Sequence, residues 1–183
     1  MPEIYVLSGV QAAGKSTVAD VLARRFERGV HVGGDAIRAM VVSGRSDMSP
    51  DPPEESLHQL MLRYRASIAV AQVYFDAGFD VVIEDVIIGE MLIAFLAAVP
   101  WPRIRLVMLC ATPAEITRRE ELRAKDGYGG VWSVAALYRI FDEETPRLGL
   151  WLDSTGMTPD ETTDAILAAG DATLVDVRAA RKA

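Results

Sequence analysis

At 183 residues, half of them hydrophobic and a quarter charged, the chain has the size and composition of one soluble globular domain with a substantial core. A net charge of −7 and a pI near 4.9 argue against broad, nonspecific attachment to nucleic acid or to an anionic membrane. Cys110 is the only cysteine, which excludes an intrachain disulfide and fits a reducing cytoplasm.

In chain order, Ile4-Tyr5-Val6-Leu7 reads as a first strand, beginning so near Met1 that no signal peptide is expected. Gly9-Val10-Gln11-Ala12-Ala13-Gly14-Lys15-Ser16-Thr17 then satisfies G-x-x-x-x-G-K-[ST], between a strand and the helical pattern of Val18, Val21, Leu22 and Phe26. The glycines let such a loop curl so that successive backbone N–H groups face phosphate oxygens, and a helix starting near Lys15 adds its partial positive charge. Gly9, Ala12, Ala13, Gly14, Lys15, Ser16 and Thr17 are therefore expected to hold a nucleoside triphosphate. Lys15 is assigned to the β/γ-phosphates and the Ser16 hydroxyl to Mg²⁺.

Val30-His31-Val32 predicts a second strand, and Ala36 to about Val42 a second helix. The segment from Ser43 to Pro53 has no periodicity and three prolines, which reads as an irregular loop, either a flap over a substrate or solvent-exposed filler. A long amphipathic helix runs from Glu54 to Ala77, and Asp80 to Asp85 is a buried strand ending in two carboxylates. Ile87 to Val99 is apolar, but too short and too interrupted by Glu90 for a membrane span. After a helix over Glu90 to Ala98, Arg105 to Cys110 forms the next strand. Thr112-Pro113-Ala114-Glu115 reads as a capping box opening a helix with Arg118, Arg119 and Arg123, stopping near Gly127. Ser133 to Glu144 follows as an amphipathic helix, Leu148 to Asp153 as the last strand, and Thr158-Pro159-Asp160-Glu161 as a second capping box. Residues 171–183 read as a flexible tail.

Alternating strands and helices imply an α/β P-loop NTPase fold: five parallel strands, helices on both faces, and a small helical lid. The expected organisation is a single domain over 1–183, with 112–145 as lid and following helix. Ligands bind beyond the C-terminal ends of such strands. There Asp35 is placed to accept a proton from an acceptor hydroxyl, its alternative role being a helix N-cap. Arg38, on the same helical face, is matched to an anionic group on the acceptor or to an ion pair with Asp35. Glu84 and Asp85 point to opposite faces of their strand, so one serves the site; Asp85, nearer the end, is assigned to Mg²⁺ or the acceptor. Arg119 and Arg123 share a helix face and are expected to neutralise charge on the transferring phosphoryl group, the alternative being surface ion pairing with Glu115 or Glu120. His31 and His58 lack partner patterns and read as structural.

Together these residues resemble the P-loop kinases that phosphorylate hydroxyl groups. Gly78 to Gly89 is similar to the strand and turn of chloramphenicol phosphotransferase, a compact single-domain family in which an aspartate in the place of Asp35 is the base. Gly34-Asp35-Ala36-Ile37-Arg38, with the Arg119/Arg123 helix, looks like the phage-type polynucleotide 5′-hydroxyl kinases. The resemblance implies an ATP- and Mg²⁺-dependent kinase acting on a small-molecule hydroxyl, with an anionic acceptor on the strength of Arg38. The acidic pI disfavours a nucleic-acid acceptor. A third reading, from another class, is a nucleotide-binding switch without an acceptor. The expected assembly is a monomer or homodimer, cytoplasmic, with no membrane partner.

Overall fold

The computed structural model describes residues 1–122 and 132–181. Strand β1 (Ile4–Ser8) is buried along its whole length, as a central strand covered on both faces must be. It pairs in parallel with β3 (Asp80–Glu84) on one side and β4 (Arg103–Cys110) on the other. β2 (Gly29–Gly33) extends the sheet beyond β3, and β5 (Leu150–Asp153) extends it beyond β4. The order β2-β3-β1-β4-β5 changes direction of winding at β1, so the loop after β1 opens at a switch point.

Helix α1 (Lys15–Arg24) packs with α7 (Pro159–Ala168) on one face. On the other, α3 (Glu54–Asp76) packs on α4 (Met91–Ala98), and α4 on α8 (Val177–Ala180). Between these layers Val6, Leu7, Val82, Ile83, Leu106 and Val107 are fully buried. Short α2 (Gly34–Ala39) follows β2 directly and leans on α3. No helix among the described residues is long and apolar enough to cross a membrane.

Three expectations are corrected. The sheet has a sixth strand, β6 (Leu174–Asp176), antiparallel to Arg103–Arg105 of β4. β5 pairs only with Val107–Cys110, so the start of β4 offers an open edge that the chain end fills. Residues 171–181, read as part of a flexible tail, are built in. Val175, Val177 and Ala180 are buried, and the Arg181 guanidinium donates to the Leu96 and Val99 carbonyls. The Thr112 box is only half formed. The Thr112 hydroxyl accepts from the Glu115 amide at the start of α5 (Pro113–Glu121), but the Glu115 carboxylate turns to Arg118 and Arg119. At Thr158 both halves are present. Finally α6 (Val134–Arg139) is continued by a π turn, Ile140–Glu144, whose Ile140 carbonyl accepts from the Thr145 hydroxyl at 3.0 Å.

Tyr64 of α3 ties the second layer to the end of β3. It is fully buried, meets Phe95 edge-on at 5.4 Å, and donates its hydroxyl to the Val86 carbonyl at 2.9 Å. Tyr64→Phe keeps the ring and strands that carbonyl. The expected loss is about 1–3 kcal/mol of unfolding free energy, measured by urea titration.

Candidate active site

β1 runs straight into the Gly9–Thr17 loop, and the loop's backbone is the unusual part. Gly9 has φ 143° and Gly14 φ 98°, while Ala12, at φ 60°, is alone among the described non-glycine residues in having positive φ. A side chain at Gly9 would stand 2.6 Å from the Leu109 carbonyl oxygen, so the loop's first residue has no room for one. Holding alanine in this conformation costs about 1–3 kcal/mol, strain of the kind concentrated at ligand sites. Helix α1 starts at Lys15 with Gly14 as N-cap and no side chain bonded to its first amides, as an anion-binding helix start requires. The Lys15 ammonium donates to the Val10 carbonyl at 2.9 Å, so its side chain lies back across the loop.

Glu84, rather than Asp85, meets this loop. The Ser16 hydroxyl donates to Glu84 Oε1 at 2.9 Å, and His31 Nε2 lies 3.8 Å from the same oxygen. Burial pushes the Glu84 carboxyl up, but His31, Lys15 and the Ser16 hydrogen bond outweigh it and hold it below the usual value. Strand alternation turns Asp85 away from Ser16, toward α3. There Arg63 Nε stands 2.8 Å from Asp85 Oδ2, close enough for an ion pair yet out of line for a hydrogen bond. Asp85, expected to serve the metal, thus stands away from Ser16, and Glu84 is the carboxylate beside it. Ser16 and Glu84 are both hard oxygen donors, and the described residues hold no cluster of three or more metal-ligating side chains. That set fits a Mg²⁺ held largely by phosphates and water, with one or two protein oxygens.

Burial also raises the Asp85 carboxyl, to about 6, against the opposing pull of Arg63 and the Val86 amide. A carboxyl raised on folding binds its proton more tightly in the native state, so its ionisation removes stability as pH rises from about 4 to 6. Asp85→Asn lacks this term. Its stability relative to wild type is expected to improve across that window, read from urea titrations of both proteins at each pH.

Asp35 lies in the first turn of α2. Its carboxylate bonds to no helix amide, Gly33 being the N-cap, so the capping alternative fails. It faces the cleft and has Arg38 at 3.9 Å. Of the two roles expected for Arg38, the structure shows an ion pair, its nearer partner being Asp47 rather than Asp35. Its guanidinium holds Asp47 in a fork at 2.7 and 2.6 Å, and Arg45 comes within 3.5 Å of the same carboxylate. The irregular loop that carries Asp47 is fastened in place. Ser46 and Gly44 bond to Gln59, the Asp47 carbonyl accepts from Ser56, and Trp132 donates to the Met48 carbonyl at 3.2 Å.

Arg119 reaches from α5 to the loop, donating to the Ala13 carbonyl at 3.0 Å and to the Ser154 carbonyl at 3.1 Å. It thus lies between the phosphate loop and the turn after β5. Arg123 and the Gly127–Gly130 hinge fall outside the described residues. Arg63, Asp47, Glu84 and Trp132 are the site residues that sequence reasoning missed or passed over. Arg63 had one usable signal: it precedes Tyr64, whose buried position puts the start of the α3 stripe against β3.

Lys15, Ser16, Asp35, Arg38, Glu84 and Arg119 line one open cleft of about 1450 Å³, bounded by the phosphate loop, α2, the 45–52 segment, α3 and the turn after β3. Ligand pockets usually run to about 300–1,000 Å³, so this one has room for two ligands side by side.

Comparison with known proteins agrees with this geometry. The model of the AAA domain family matches residues 4–133. No curated protein sequence matches significantly. Among solved structures, a sugar kinase from Janibacter sp. HTCC2649 is 18% identical, with 92% of this chain and 94% of that chain covered and a TM-score of 0.62. An APS kinase from Mycobacterium tuberculosis, in complex with AMPPNP and APS, is 17% identical over 91% of this chain and 96% of that one, with a TM-score of 0.63. A tunicamycin resistance protein from Deinococcus radiodurans is 16% identical, covering 96% and 99%, also with a TM-score of 0.63. At such identities the likeness establishes the shared fold.

Proposed function

We propose, for a chain that belongs to the AAA domain family, that it is an ATP- and Mg²⁺-dependent phosphotransferase moving the γ-phosphoryl group to a small-molecule hydroxyl. One observation carries the reading: a strained phosphate loop, a buried carboxylate on its Ser16, and the uncapping Asp35 all face a single cleft with room for donor and acceptor. The kinases among the solved structures of this fold support it. On the likeness of Gly78 to Gly89 to its strand and turn, the reading includes a chloramphenicol phosphotransferase-like activity. The whole chain, 1–183, is taken as one catalytic domain working in the cytoplasm.

The phosphate loop amides and Lys15 hold the triphosphate and take up charge on its β- and γ-oxygens. Ser16 and Glu84 would hold Mg²⁺, which would supply positive charge to offset that of the phosphates. The acceptor oxygen attacks the γ-phosphorus as the bond from phosphorus to the ADP oxygen breaks. Asp35 accepts the hydroxyl proton as the new bond forms. Arg119, already on the Ala13 carbonyl, fastens the donor side of the cleft between the phosphate loop and the Ser154 turn.

The test is ADP release from ATP and Mg²⁺ across nucleosides, nucleotides, sugars, sugar phosphates, chloramphenicol-like compounds and a 5′-hydroxyl oligonucleotide. Acceptor-dependent release with a small molecule supports the proposal. Release only with the oligonucleotide would make the protein a polynucleotide kinase, and release indifferent to every acceptor would leave an NTPase or a switch.

A further inference from the structure

The acceptor half of the cleft has a charge pattern that the phosphotransferase reading does not use. Three arginines of the described residues line it: Arg38, Arg45 and Arg63. Each is already matched. Arg38 and Arg45 share the Asp47 carboxylate, and Arg63 faces Asp85. Asp35, Glu90 and Glu144 add further negative charge to the same lining. Among the described residues, then, no arginine of this half stands without a carboxylate.

Asp47 is a fixed counter-charge rather than a movable stand-in for a ligand's anion. The backbone on both sides of it is bonded to other elements. The Ser46 amide donates to Gln59 at 2.9 Å, the Asp47 carbonyl accepts from Ser56 at 2.9 Å, and the next carbonyl accepts from Trp132. A phosphate or carboxylate brought to Arg38 or Arg45 would have to displace this carboxylate or sit against it. Either arrangement sets like charges side by side.

The remaining surface is apolar. Met48, Leu57, Leu60, Met91, Trp132 and Ile140 line the cleft. At its mouth Met40 and Leu62 also face it while remaining 69% and 45% exposed, an apolar lip open to solvent.

Resting on the phosphotransferase reading, we propose that the acceptor is a charge-neutral hydroxyl compound with an apolar body. Asp47 and Asp85 are its specificity residues, because they cancel the arginines that would otherwise admit an anion. The polar part of the acceptor lies toward Asp35 and the Arg63–Asp85 pair, which offer it a base, a guanidinium and a buried carboxylate oxygen together. The apolar part lies along Met48 and Trp132 toward the Met40/Leu62 lip. Rejection of anions comes from repulsion built into the site, which separates two acceptors more sharply than attraction alone.

The experiment compares matched acceptors that differ in one anionic group and keep the same free primary hydroxyl: uridine with uridine 3′-phosphate, and chloramphenicol with the analogue carrying a carboxylate in place of its nitro group. Phosphorylated acceptor is quantified for wild type and Asp47→Asn, a near-isosteric change on an exposed side chain. Wild type is expected to favour the neutral member by about tenfold or more in kcat/KM. Asp47→Asn is expected to narrow that ratio at least severalfold, through a lower KM for the anionic member, with the KM for ATP unmoved. An anionic member used as well as its neutral partner by wild type would overturn the proposal and leave the phosphotransferase reading standing. An unchanged ratio in folded, ATP-binding Asp47→Asn would do the same, and should that variant not accumulate, the wild-type ratio decides. No phosphorylated product from either pair or from any acceptor of the wider panel would overturn both.

Discussion

Asp35→Asn is expected to lower acceptor-dependent kcat by about 10²–10⁴-fold while leaving the KM for ATP close to wild type. The side chain stands at the first turn of α2, bonds to none of its amides, and has a 3.9 Å contact to Arg38. Asparagine keeps the shape and removes the capacity to take a proton. Because nothing structural hangs on the carboxylate, unfolding is expected at the same urea concentration. Loss of product formation with intact ATP binding would therefore report on the chemical step. If Asp35→Asn phosphorylates the preferred acceptor at the wild-type rate, the base lies elsewhere and the proposed mechanism fails.

Lys15→Ala is expected to produce the second large loss, about 10²–10³-fold in turnover, by removing a cation from the transferring phosphoryl group. It also has a readout that does not need the acceptor. A ligand present at about 100 times its Kd raises native stability by about 2.7 kcal/mol, so wild type should melt at a higher temperature in ATP and Mg²⁺. In Lys15→Ala that increment should shrink or vanish. Lys15 is 8% exposed and donates to the Val10 carbonyl, so the melting temperature of the variant without nucleotide is the baseline for its increment. An undiminished ATP-induced rise in the variant would mean that the donor does not sit on the Gly9–Thr17 loop.

The two variants probe opposite ends of one cleft, and the elements between them show how far sequence carries. The phosphate loop was legible because its chemistry is local. Glycine is demanded by backbone angles at Gly9 and Gly14, and the lysine and hydroxyl follow within two residues. The six-strand sheet was legible to its fifth strand for a similar reason. Strands buried on both faces read as continuous apolar runs, whereas β6 has three residues and no period to detect. Its position depends on an edge of β4 that β5 leaves open, which only the assembled sheet creates.

The acceptor side was legible in its residues but not in their partners. Asp35 and Arg38 were found by their place after the second strand, and both do line the cleft. That Arg38 is spent on Asp47 could not be read, since Asp47 sits in a proline-rich loop without periodicity. Its position is set by Gln59 and Ser56 of α3 and by Trp132, far along the chain. The choice between Glu84 and Asp85 was likewise open in one dimension. Alternation along a strand says that two adjacent carboxylates face opposite ways, and the packing of α1 and α3 on β3 decides which way each faces.

Sequence by itself thus determined the fold class and the loop expected to take the triphosphate, because local backbone geometry and strand burial write themselves into short patterns. Tertiary structure alone decided which carboxylate meets Ser16, which arginines keep a partner, and where the chain end goes. Those outcomes are contacts between residues distant in sequence, set by the layers that close around the sheet.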